Sequence, residues 1–449
     1  MKKLTVMCAI MCTMYVFTSC SNEEPTNGDD NTPVEPFTVL TPQANWPLTE
    51  TQLLQGSQMN DFAFQLFRLL QKPNESLVLS PLSVDYALAM VALGAEGETR
   101  DSIVKALGFD TKEPQALHNL MASLMAYLPS VDENVKFNLA NAFYLNASRK
   151  ELSINPDYRE VLQENYKADC EAVGTDTQEG IDQINAWCNR QTDGFIPEVF
   201  NKPLSEDNVC LLINAIYFKG DWFFPFVHDM TEESNFKCEN GENVIVQSMY
   251  NETYLDYAES ELFQAVRLPY GKTDESGFGI EEPSSFGMTI LLPRAGKTTA
   301  DILSWLTSEH IADLSKEMTA SDVVIRLPRF ETKVRTNLLD AFEQLKLPFK
   351  SGDLRGIVLS NGKPRGLSLA DAFQCARIKV DEKGTEAGAV TVMDFSDGIP
   401  ANRKFFIADH PFVYLLTDEK TGTILFVGTY HGQGNDKCHS SSFHSEGPQ

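Results

Sequence analysis

Residues 379–411 read K-V-D-E-K-G-T-E-A-G-A-V-T-V-M-D-F-S-D-G-I-P-A-N-R-K-F-F-I-A-D-H-P. The run begins as a strand and passes through Glu382, Lys383 and Gly384 into small or β-capable residues. In an extended chain, side chains alternate between two faces. Thr385, Ala387, Ala389 and Thr391 then share one face and all are small and uncharged, while Glu386 and Gly388 take the other. Val390, Met393 and Phe395 continue the run. The length and the polar tip are those of an exposed loop, and the alternation is that of a half-buried strand. The segment is a loop that can become a strand.

A second block lies near the start, at residues 74–100: N-E-S-L-V-L-S-P-L-S-V-D-Y-A-L-A-M-V-A-L-G-A-E-G-E-T-R. Leu77-Val78-Leu79 reads as a short strand, and residues 84–93 as a helix stopped by Gly94, with Ser80 and Ser83 placed to cap it. A third, L-I-N-A-I-Y-F-K-G-D-W at residues 212–222, is an apolar strand interrupted by Asn214 and ending near Trp222. Apolar strands closed by proline follow at residues 288–293 and 323–328, and residues 411–416 and 424–428 form a final hairpin.

Taken in this order, these blocks resemble the serpin family. Residues 382–391 are similar to the hinge of its reactive-centre loop, E-x-G-T-E-A-A-A-x-T, with Gly388 and Val390 departing from it. The resemblance covers residues 51–431 and implies an α+β serpin fold: a single domain of about nine helices and three β-sheets with an exposed reactive-centre loop. It places Ser80, Ser83 and Asn214 in the shutter beneath the main sheet and Trp222 in the breach, where the loop first enters that sheet. Gln374 stands where many members have a shutter histidine, and Arg329 stands where a base would pair with Glu382.

The implied function is that of a suicide-substrate inhibitor of serine, or also cysteine, endopeptidases. A non-inhibitory binding protein of the same fold is the alternative. Counting the family interval from Glu382 puts the scissile bond at Gly398-Ile399, and counting back from Asn402-Arg403 puts it at Asp397-Gly398. Cleavage at Phe395 or Met393 is a further option. No Lys or Arg falls between Lys383 and Arg403, so the expected targets are chymotrypsin-, elastase- or subtilisin-like rather than trypsin-like. Such a partner would be held in a covalent 1:1 complex with a monomeric inhibitor.

Composition narrows the alternatives. The chain has 449 residues, 42% of them hydrophobic, which suffices for a large core. Its formal net charge of −26 repels nucleic acid. No nucleophile-elbow, zinc-protease or phosphate-loop motif occurs, so neither catalysis nor a cofactor is expected. The nine cysteines lack metal-site spacing, and no metal is expected. The six after Cys20 are even in number, which permits disulfides, but irregular in spacing, which favours buried thiols.

Residues 1–19 carry Lys2, Lys3 and an apolar run from Leu4 to Phe17 followed by Thr18-Ser19, the form of a secretory leader. Their end resembles a bacterial lipoprotein box with Cys20 as the acylated residue. Residues 20–50, rich in Asn, Asp, Glu, Pro and Thr, read as a flexible tether. Ser21-Asn22-Glu23-Glu24 is similar to surface-export signals of the Bacteroides group. The expected location is therefore the outer membrane, through a lipid anchor, exposed at the cell surface. Residues 432–449 are polar and read as a disordered tail.

Overall fold

The structure, a computed structural model, describes residues 10–18, 48–272, 282–349, 354–383 and 402–432. Among these are nine α-helices and sheets of six, nine and three strands. The first helix, Glu50–Leu70, starts at a capping box in which Thr49 and Gln52 satisfy each other's backbone N–H groups. Its buried residues Met59, Phe62, Ala63, Leu66 and Phe67 recur at helical spacing and form one apolar face.

The second helix, Pro81–Leu93, is buried along nearly its whole surface and therefore lies within the core rather than on it. It begins three residues earlier than the apolar pattern predicts. Proline is well suited to a first helical turn, where its missing N–H has no partner to lose. The helix ends at Gly94, where a Cβ would stand 2.2 Å from Ile357 Cγ1, so the close approach of residue 357 requires glycine.

The six-stranded sheet runs in the order Phe330–Asn337, Ser368–Val380, Ile10–Thr18, Asn208–Lys219, Lys136–Asn146 and Asp169–Val173. All neighbours are antiparallel except the last pair, which is parallel. The strand Asn208–Lys219 is buried from Asn208 to Phe218, as expected for a sheet covered on both faces. On one face Leu211, Ile213, Ala215 and Tyr217 pack with Ile181, Ile184 and Trp187 of the helix Gln178–Gln191. On the other, Cys210, Leu212, Ile216 and Phe218 join the large core that contains the helix Pro81–Leu93. Asn214 and Gln374 fall in these inward rows by alternation.

One strand has no counterpart in the sequence reading. Ile10–Thr18, within the apolar run near the N-terminus, lies between Ser368–Val380 and Asn208–Lys219 and pairs with both along its length. An apolar run without period-2 alternation does not announce a strand, and a sheet interior accepts it because its backbone groups find partners on both sides.

The nine-stranded sheet contains Phe286–Pro293 and the hairpin Phe412–Asp418 and Thr423–Tyr430, every residue of which is buried. Strand Lys404–Ile407 joins its edge by parallel pairing with Thr319–Pro328. Among the described residues, no helix is long and apolar enough to cross a membrane.

Candidate functional site: a strand slot, its polar seam and the root of a loop

The strands Asn208–Lys219 and Ser368–Val380 run in the same direction, because each is antiparallel to the strand between them. Together they define a slot that holds one extended segment. Near its middle, the Ser80 N–H donates to Gln374 Oε1 at 3.2 Å, and Gln374 Nε2 donates back to the Ser80 carbonyl at 3.1 Å. The Gln374 amide thus uses both its acceptor and a donor on one backbone unit. Across the slot Asn214 Nδ2 donates to Asn141 Oδ1 at 2.7 Å, and Asn141 Nδ2 donates to the Tyr166 carbonyl at 2.8 Å.

Ser80, Ser83, Asn141, Asn214 and Gln374 are all buried. Ser80 occupies the N-cap position of the second helix, but its side chain makes no cap bond. Sequence reasoning placed Gln374 beside Ser80 and Asn214; the structure brings it to the Ser80 backbone, while Asn214 turns to Asn141. Asn141 was missed, and its signal was a lone amide in the apolar run Leu139–Tyr144, which also holds Ala140, Ala142 and Phe143.

At one end of the slot, strand Ser368–Val380 continues into Asp381, Glu382 and Lys383. Trp222 Nε1 donates to the Asp381 carbonyl at 2.9 Å, its backbone N–H donates to the Lys383 carbonyl at 3.0 Å, and Phe226 N–H donates to the Glu382 carbonyl at 2.7 Å. The Trp222 ring stacks on Tyr270 with centroids 4.5 Å apart. The Glu382 carboxylate accepts from the Thr231 hydroxyl at 2.7 Å and pairs with the Arg329 guanidinium. Its side chain is 5% exposed and that of Arg329 37% exposed, so this is a half-buried pair rather than a surface one. Burial opposes the Glu382 charge, yet Arg329 and Thr231 outweigh it and hold the carboxyl below its usual range. Asp381, the preceding residue, is pushed up to about 6 by burial, which outweighs the Lys383 N–H, Lys379 and Arg329.

The far side of the loop is rooted as firmly. Arg403 binds Glu252 Oε1 at 2.5 Å and Asp322 Oδ2 at 3.0 Å, just before strand Lys404–Ile407 enters the nine-stranded sheet. Both roots meet the long strand Asn243–Glu259: Gln247 accepts from the Arg329 N–H, and Glu252 accepts from Arg403. The hinge residues Gly384, Thr385, Glu386, Ala387, Gly388, Ala389, Val390 and Thr391 lie outside the described residues, as do Met393, Phe395, Asp397, Gly398, Ile399 and Cys20.

Among the described residues no group of His, Cys, Asp and Glu is gathered as it would be around a metal. Cys170, Cys210 and Cys238 are free thiols. Burial raises the pKa of each, which makes them poor nucleophiles.

Residues 57–432 match the family model described as serpin (serine protease inhibitor). Among curated proteins, the chain is similar to human Serpin B11, 31% identical over 82% of this chain and 96% of that one. Serine protease inhibitor 42Dd of Drosophila melanogaster is 30% identical over 81% of this chain and 94% of that one. An uncharacterized serpin-like protein of Thermococcus kodakarensis is 29% identical over 91% and 93%. The crystal structure of tengpin, a thermophilic serpin in its native state, superposes with a TM-score of 0.73 at 26% identity, covering 86% of this chain and 95% of that one. Human thyroxine-binding globulin complexed with its hormone, at 22% identity, 84% and 98% coverage and a TM-score of 0.72, shares the fold alone. Serpins in general bind and inhibit proteases rather than act as enzymes, and the strand slot, the loop roots and these matches agree: the chain belongs to the serpin family.

Proposed function

We propose that this serpin is a suicide-substrate inhibitor of serine endopeptidases, and that its cleaved loop becomes the central strand of the six-stranded sheet. The observation that carries the reading is the slot itself, which takes an extended segment antiparallel on both sides and opens at the hinge. A serine protease attacks an extended peptide, forms an acyl-enzyme and needs an intact oxyanion hole to hydrolyse it. Insertion of the N-terminal half of the cut loop drags the acylated enzyme across the molecule and distorts that hole. The product is a covalent, single-use trap.

The magnitudes are sufficient. About a dozen inserted residues form on the order of ten ladder hydrogen bonds at ~1 kcal/mol net each. A protease domain's whole stability is roughly 5–15 kcal/mol. The intact inhibitor is therefore a kinetically held state. Thr385, Ala387, Ala389 and Thr391 support this reading, because a charge buried at any of them would oppose entry.

The targets we favour are chymotrypsin-, elastase- or subtilisin-like enzymes cutting near Gly398-Ile399. A leader at residues 1–19 would direct export and be removed, and a lipid on Cys20 would then hold the mature protein at the outer membrane, on the cell-surface side; mass spectrometry of the membrane-extracted N-terminus tests this. Val390, where the family hinge carries a small residue, favours the second reading, a non-inhibitory surface binding protein. Incubation of the leader-free chain with elastase, chymotrypsin and subtilisin decides between them. An adduct that survives denaturation, and is lost in Thr385→Arg, supports inhibition; clean cleavage by all three with no adduct refutes it for these classes.

A further inference from the structure

The slot is occupied. Ile10–Thr18 fills it from the Tyr217 and Arg377 positions at the hinge end to Asn208 and Ser368 at the other. Its backbone N–H and C=O groups thereby pair with the strands on both sides of the slot. The direction of this strand is informative. A loop that leaves Ser368–Val380 at Lys383 and turns back into the slot must run antiparallel to that strand, and the leader does.

The two segments also resemble each other in sequence. Residues 12–18 are C-T-M-Y-V-F-T and residues 390–396 are V-T-V-M-D-F-S: a threonine, a phenylalanine four positions later, and then a hydroxyl residue. In the leader, Thr13 takes the register position between Asn214 and Gln374, two of the three amides of the polar seam. Residues 10–18 carry no charge, whereas the loop has Asp394 where the leader has Val16. A segment without charge enters a sheet covered on both faces without the cost that a carboxylate carries.

We propose that the apolar leader is an intramolecular plug: while residues 10–18 remain attached they hold the slot that the reactive-centre loop must enter, so the unprocessed chain is latent and removal of the leader arms it. Cleavage of the chain after the leader ends the effective concentration that favours the plug, and the apolar fragment then has the membrane as a competing host. A lipoprotein precursor would in this way stay inert toward proteases until it is processed. The latency rests on the inhibitory reading above; the occupancy of the slot does not.

The test compares three proteins: the full chain with Cys20→Ala to prevent processing, a chain beginning at Ser21, and the full chain with Thr13→Arg and Tyr15→Arg added to expel the plug. Melting, amide exchange in Asn208–Lys219 and Ser368–Val380, and adduct yield with a protease that the leader-free chain traps are read on each. The plug predicts a melting temperature higher by more than about 5 °C in the unprocessed chain. It also predicts slowed exchange along both strands and an adduct yield at least about tenfold lower. The double-arginine chain should behave as leader-free. If the full chain aggregates, a synthetic peptide of residues 10–18 added to the leader-free chain must reproduce the stabilisation and the loss of adduct. Equal melting and equal exchange with and without the leader or peptide overturn the proposal. Should the leader-free chain trap no protease, the inhibitory reading falls, while melting and exchange still decide whether the slot is plugged.

Discussion

The two large sheets of this molecule are joined by opposite means. In the nine-stranded sheet the hairpin Phe412–Asp418 and Thr423–Tyr430 is buried at every position, and Phe412, Tyr414 and Tyr430 pack ring against ring with centroids 5.4 to 6.4 Å apart, joined at 4.9 to 5.7 Å by Phe330 from the end strand of the six-stranded sheet. In the six-stranded sheet the central contact is a polar seam, Ser80 with Gln374 on one side and Asn214 with Asn141 on the other. A jigsaw of aromatic rings tolerates no change of neighbour. Amide pairs hold register and yet accept a new strand between them, because the backbone ladder supplies most of the attachment. One sheet is built to stay as it is, and the other to be entered.

Breaking the rigid side should have the largest effect. A Cβ at Gly428 would stand 2.2 Å from the Cζ and hydroxyl of Tyr414, whose fully buried ring is packed against Phe330 and Phe412. Gly428→Ala should therefore destabilise the protein by about 3 kcal/mol or more, read in denaturant or thermal melts. A melt unchanged by this substitution would mean that the hairpin is not the fixed frame described here.

A smaller loss is expected at the hinge. Arg329→Ala leaves the Glu382 carboxylate, 5% exposed, with only Thr231 and backbone, and should cost about 2–3 kcal/mol after allowance for the solvent at Arg329. Amide exchange at residues 382 and 383 should rise, and Arg329→Lys should recover part of the protection. If exchange there is unaltered, the pair does not pin the loop root.

The smallest effect is a dependence on pH. The Asp381 carboxyl is raised to about 6, above an unfolded value of about 3.9, so the folded state holds the proton more tightly and its stability declines as pH rises through 6. Asp381→Asn should be more stable than the parent by about 1–2 kcal/mol at pH 7 and equal to it near pH 4. His118, lowered to about 4 by burial, works in the opposite direction over the same window, so the comparison between variant and parent is the informative readout. A constant difference from pH 4 to 7 would remove Asp381 from the account.

Much of this was legible in the sequence, for identifiable reasons. The strand Leu77–Leu79 and the body of the helix after it were marked by apolar runs and a terminal glycine, all local signals, while the helix's first turn at Pro81 went unread. The final hairpin was marked by two apolar runs around a polar turn, and Arg329 was matched to Glu382 only through family spacing, since 53 residues separate them. Thr231 reaches Glu382 from 151 residues away, and nothing local marks its hydroxyl. The strand Ile10–Thr18 was illegible for another reason: its composition suits a leader and a buried strand equally, and only the presence of an open slot elsewhere in the chain separates the two.

The central claim is that a cut loop enters the six-stranded sheet. The most direct measurement is a thermal melt of the leader-free protein before and after a protease has cut it between residues 384 and 401, with the cut mapped by mass spectrometry. Insertion adds a strand paired on both sides, and the account predicts that the cleaved protein melts well above the intact one, by more than about 10 °C. A cleaved protein that melts at or below the temperature of the intact one would contradict it.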